Sequence, residues 1–165
     1  MIGKGKSISH GTAALEYDLA KEIDGQTAAI EIARHELYGC TGAEMVQEMK
    51  PYHADFPNVK NNCLRFEVSP SIEESATFTD ADWAELGNDF MQRMGLANHQ
   101  YIIIRHSGTE SKKEQAHLHI LANRVSLSGE LYRDNWIGKK ATEAANAIAK
   151  ERNFVQSQDI GKANK

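Results

Sequence analysis

Two stretches of strand period, Tyr101 to His106 and His117 to Val125, flank a single polar loop, Ser107 to Gln115, and no other feature constrains the chain as strongly. Strands joined in this way can close directly as an antiparallel hairpin, which points to a mainly antiparallel sheet. In His117-Leu118-His119-Ile120-Leu121-Ala122-Asn123 the strand period of two puts His117, His119 and Asn123 on one face. Leu118, Ile120 and Ala122 then face a core.

The rest of the pattern alternates strands with helices. Met1 to Ser7 reads as a first strand, and Leu15, Leu19 and Ile23 mark an amphipathic helix from Ala13 to Glu22 that Asp24-Gly25 ends. Ala28 to Leu37 alternates as a half-buried strand. A helix from Thr41 to Met49 stops at Pro51. Cys63, Arg65 and Glu67 share one face of a strand whose other face carries Leu64, Phe66 and Val68. Thr79-Asp80-Ala81-Asp82 is an N-terminal helix signature, with acidic residues in the first turn, and the helix runs to Arg93 or Met94 before Gly95. Asn135 to Arg152 closes the domain as a long helix. The expected fold is α+β, a mainly antiparallel sheet of about five strands packed with helices. The expected domain covers residues 1–155, and 156–165 form a polar tail from which a linker could start.

Charge and cysteine usage narrow the function classes. Lys plus Arg number 19 against 23 Asp plus Glu, a net charge of −4, so any nucleic-acid partner must be held by a local patch. Cys40 and Cys63 are far apart and show no zinc-ribbon or redox spacing. No apolar run is long enough for a membrane span, and no nucleotide-binding glycine motif is present. A cytoplasmic setting is expected.

The chemistry concentrates in histidine. Three of the 7 histidines, His106, His117 and His119, fall in the two hairpin strands, and antiparallel pairing returns His106 beside the other two. Three imidazoles on one hairpin face make a facial metal site with open positions. Neutral ligands leave the full charge on a divalent ion, which suits it to polarise an anionic oxygen such as a phosphodiester. Glu114 is a candidate acceptor for an imidazole N–H, with Glu110 a second carboxylate in the same loop, and Asn123 a further supporting residue.

His117-Leu118-His119 followed by Ile120-Leu121-Ala122-Asn123 is similar to the His-x-His-x-x-x-Asn motif of the relaxase, or mobilization nuclease, family of HUH endonucleases. His106 takes the place of the third metal-binding histidine. Gly5-Lys6-Ser7-Ile8-Ser9-His10-Gly11, then Leu15-Glu16-Tyr17-Asp18-Leu19, resembles the family's first motif, in which a serine-containing segment precedes the catalytic tyrosine, here Tyr17. The loop departs from the family pattern, carrying glutamates where many mobilization relaxases have aspartates.

The resemblance implies an HUH relaxase-like fold and a site- and strand-specific single-stranded DNA endonuclease. Such an enzyme nicks an origin of transfer and links the 5′-phosphate to tyrosine during plasmid or mobile-element mobilization. It implies Mg²⁺ or Mn²⁺, with Zn²⁺, Ni²⁺ or Co²⁺ as substitutes for imidazole ligands. It also implies accessory relaxosome proteins as partners and a bacterial cytoplasm as the location. Lys4, Lys6, Arg105, Lys112, Lys113 and Arg124 are the candidate phosphate contacts. His10 is a candidate to assist Tyr17, and Tyr38, Tyr52, Tyr101 and Tyr132 are rival nucleophiles. Alternatives are a replication-initiation or transposition nuclease of the same type, a hydrolase that uses water, and a non-catalytic binding domain with a structural metal.

Overall fold

The computed structural model describes residues 1–108 and 115–156. In chain order the elements are β1 (Ile2–Ile8), α1 (Gly11–Leu19), β2 (Glu22–Ile23), β3 (Gln26–Thr27), β4 (Ala29–His35) and α2 (Gly42–Met49). There follow β5 (Cys63–Ser69), α3 (Ile72–Ser75), α4 (Asp80–Arg93), β6 (Tyr101–His106), β7 (His117–Asn123) and α5 (Ile137–Glu151). Five strands form one sheet in the order β1-β5-β7-β6-β4, and every neighbouring pair is antiparallel. This is the α+β architecture expected from the sequence, with the hairpin β6–β7 inside the sheet.

The sheet is covered on both faces. On one, Leu64, Phe66, Val68, Ile103, Leu118, Ile120 and Ala122 pack against Trp83, Leu86 and Phe90 of α4 and Ala141, Ala145 and Ile148 of α5. Gly3 lets α5 lie directly on β1, since a Cβ there would stand 2.4 Å from the Ala141 carbonyl oxygen. On the other face, Ile102, Ile104, Leu121 and Cys63 pack beneath Leu15 of α1 and Met45, Val46 and Met49 of α2. The hairpin face carrying the histidines is therefore a roofed surface rather than an open one.

Local chemistry sets the ends. Thr79 and Asp82 form the full capping box at the start of α4. Helix α2 stops before Pro51 as expected, and a 3₁₀ turn, Lys50–His53, continues from it. Helix α1 is shorter than the sequence pattern suggests. It closes at Leu19, and Asp24-Gly25, both with positive φ (54° and 77°), form the two-residue turn of a small β2–β3 hairpin instead of a helix stop. The end of α1 at Leu19 leaves Asp18 in its last turn, over the sheet.

Candidate metal centre

Register builds the site. His106 lies directly opposite His117 across the β6–β7 ladder, and His119 lies opposite Ile104 on one side and Glu67 of β5 on the other. The period of two brings all three imidazoles to the face beneath α1, where His106 and His117 are 2% and 3% exposed. One ligand nitrogen from each residue lies within 4.8 Å of the others. Ring centroids are 4.4 Å apart for His106 and His119 and 4.9 Å for His117 and His119.

The outward hydrogen bonds of two rings define which nitrogen remains. His106 Nε2 is 2.8 Å from the backbone oxygen of Asp18, so as an N–H it donates there and leaves Nδ1 with a lone pair. His117 Nδ1 is 2.9 Å from the Gln115 carbonyl and donates in the same way, freeing Nε2. His117 Nε2 and His119 Nε2 stand 3.1 Å apart. Two nitrogens each about 2.1 Å from one ion, at roughly a right angle, are separated by about 3 Å, so the donor set fits a divalent metal. Burial, reinforced by the neighbouring His106 and His117, pushes the His119 imidazole down to about 2. Burial also lowers His106. Both are therefore neutral at physiological pH, the state in which an imidazole can ligate a metal.

Asp18, which motif spacing did not single out as functional, holds the roof to the site. It is 1% exposed; its backbone oxygen receives His106, its Oδ1 is 4.0 Å from His119 Nδ1, and its carboxylate is paired with Arg65. The only sequence signal for it was its place beside Tyr17. Tyr17 is on the same turn, 60% exposed, with its hydroxyl 3.4 Å from Lys21 Nζ. His10 stands at the opposite end of α1, seven residues away, or about 10 Å along the helix axis.

Three of the four rival tyrosines are less suited to attack. Tyr101 faces the other core, donates to Asn88, and is raised by burial. Tyr132 donates to the Met94 carbonyl and is likewise raised. The hydrogen bond from Tyr38 to Glu36 raises Tyr38.

Lys4 and Lys6, with Arg65, Glu67 and His119, line a cleft of about 210 Å³ beside the triad. Other expected site residues go elsewhere. Arg105 points to the opposite sheet face, as the alternation after His106 requires, and pairs with Asp80. Arg124 bonds the Tyr132 and Asn61 carbonyls and pairs with Asp134. Asn123 shares the histidine face but lies four residues beyond His119, about 13 Å along the strand. Its amide bonds His53, Met49, Gln100 and Val125. Lys112, Lys113, Glu110 and Glu114 lie outside the described residues.

The structure thus sets a largely buried three-histidine cluster on a five-stranded antiparallel sheet, roofed by a helix that carries an exposed tyrosine. The model of the MobA/VirD2-like relaxase nuclease domain matches residues 17–154, and the chain belongs to that family. The match begins at Tyr17 and includes all three histidines. No curated protein matches the chain. Among the described residues, no helix is long and apolar enough to cross a membrane.

Proposed function

We propose that this relaxase-type nuclease is a metal-dependent DNA strand transferase that nicks single-stranded DNA at an origin of transfer and holds the 5′ end on Tyr17. The observation that carries the reading is the triad. Two imidazoles are committed outward to the Asp18 and Gln115 carbonyls, so their remaining nitrogens converge with His119 beneath Asp18, the residue that follows Tyr17 in α1.

His106, His117 and His119 would hold the ion, with Mg²⁺ or Mn²⁺ the expected metal and Zn²⁺, Ni²⁺ or Co²⁺ able to substitute. When bound, it supplies a Lewis acid for a phosphoryl oxygen. The phenolic oxygen of Tyr17 bonds to phosphorus while the bond from phosphorus to the 3′ oxygen breaks. The phenolic proton leaves to water or a base, and the departing 3′ oxygen takes up a proton. A later 3′-hydroxyl reverses the step and rejoins a strand. An ordinary phenol is weakly nucleophilic at neutral pH, so charge neutralisation on the phosphate must carry much of the acceleration. Lys4 and Lys6 grip the backbone beside the triad. Plasmid or mobile-element mobilization in a bacterial cytoplasm, with accessory relaxosome proteins, is the setting this activity serves. The net acidity of the chain favours such helpers for DNA affinity.

The test is a denaturing gel of the purified chain with Mn²⁺ and single-stranded DNA from the region flanking its own gene, beside Tyr17→Phe. A metal-dependent covalent band that vanishes in the variant is expected. Cleavage without that band would assign water as the nucleophile, and neither product across several flanking segments would argue for a non-catalytic metal site.

A further inference from the structure

Arg65 lies one strand from the triad and on the same sheet face. Its Nε donates to Asp18 Oδ2 at 3.2 Å and its Nη2 donates to Oδ1, so a single buried carboxylate takes one whole edge of the guanidinium. Asp18 is 1% exposed, whereas the arginine side chain is 21% exposed and lines the cleft with Lys4, Lys6, Glu67 and His119. No hydrogen bond is made by Nη1 among the described residues, where the same fork is open on its other edge. Lys4, Lys6 and Arg65 stand against two carboxylates, Glu67 of the cleft wall and Asp18 beneath it, so the cleft keeps a net positive charge that favours an anion.

We propose that Arg65 is a catalytic residue: the free edge of its guanidinium contacts a non-bridging oxygen of the substrate phosphate, and Asp18 is the residue that positions it. This rests on the nuclease reading above. A guanidinium held by a bidentate carboxylate keeps its planar fork fixed, so little reorganisation is needed as charge grows on the phosphoryl oxygens. Lys4 and Lys6 lack that geometry; as mobile point charges they hold the strand without distinguishing ground state from transition state. No bond to Arg65 forms or breaks, and no proton leaves it.

The full chain is compared with Arg65→Lys and with the double variant Asp18→Asn, Arg65→Gln, which removes both charges together and so leaves no buried carboxylate unpaired. Three quantities are read: Mn²⁺ affinity without DNA, metal-free affinity for a single-stranded oligonucleotide as a function of salt, and cleavage rate at saturating Mn²⁺. Expected in the double variant are Mn²⁺ affinity within about twofold of the parent and a cleavage rate lower by about 10² to 10³. Its salt dependence should be shallower by about 0.7 in log–log slope, the loss of one phosphate contact. Arg65→Lys should keep the salt slope and lose most of the rate. A folded double variant that cleaves at the parental rate would overturn the proposal and leave the pair as a structural tie between α1 and the sheet. A parallel fall in Mn²⁺ affinity would overturn it too, by placing the effect on His119. If the parent itself fails to cleave, the nuclease reading fails, and the salt slopes alone decide whether Arg65 contacts phosphate.

Discussion

His117 Nε2 and His119 Nε2, two residues apart on one strand, stand 3.1 Å from each other while the other nitrogen of His117 is bonded to the Gln115 carbonyl. In a metal-free site one of the two must donate to the other, and the same pair of nitrogens would be free to hold a divalent ion in place of that hydrogen bond. His117→Ala and His119→Ala should each lower Mn²⁺ affinity by more than tenfold and abolish nicking, with the fold retained. Calorimetric metal titration beside thermal unfolding checks both. Full activity in both variants would remove the triad from the mechanism.

Acid should destabilise the metal-free domain through the same ring. His119 ionises near 6.5 in the unfolded chain, and burial lowers it to about 2 in the fold, so the unfolded state binds the proton first. Its contribution to stability is fully present above about pH 6.5 and is lost as pH falls from there toward 2. His106, lowered by burial, acts in the same direction. For His119 the loss should approach about 1.4 kcal/mol per pH unit once the pH is about a unit below its unfolded pKa. Urea midpoints from pH 7.5 to 5 should fall more steeply for the parent than for His119→Gln; equal slopes would mean that His119 takes up a proton in the folded state.

The opposite face of β7 is a packing surface. Leu118 is fully buried between the sheet and the α4 and α5 layer. Leu118→Ala should cost about 2 to 5 kcal/mol, measured by urea unfolding, with the metal affinity of the folded fraction preserved. A cost below about 1 kcal/mol would contradict the burial.

Strand period and the hairpin alone are enough to bring His106, His117 and His119 together, because alternation fixes faces and antiparallel closure fixes the partner of His106. What the pattern could not supply depends on docking between distant segments. Asp18 sits in a sequence suited to a helix surface, and only the seating of α1 over β5, β7 and β6 buries its carboxylate against Arg65 and its carbonyl against His106. The same limit applies to cations. Arg65 is in a strand pattern indistinguishable from that of Arg105, yet one lines the cleft and the other reaches Asp80 across the opposite face. Both faces of the sheet are covered because α1 and α2 lie on the histidine side, which local periodicity in β7 does not encode.

Asn123 separates motif position from role. It occupies the last place of the His-x-His-x-x-x-Asn pattern, and its amide is fully buried. The amide nitrogen donates to the Met49 carbonyl and Gln100 Oε1. Its oxygen is 2.7 Å from His53 Nε2 and accepts from the Val125 backbone N–H. These bonds tie the end of α2, its following turn and the strand exit into one unit, four residues from the nearest histidine of the triad. Asn123→Ala would leave several of those groups buried without partners and should cost about 1 to 3 kcal/mol for each one left unsatisfied. Mn²⁺ affinity of the folded variant should stay within about twofold of the parent, since no imidazole of the triad loses a hydrogen bond. Calorimetric titration below the unfolding transition reads this directly. A tenfold loss of metal affinity in a fully folded Asn123→Ala would instead make Asn123 a supporting group of the triad.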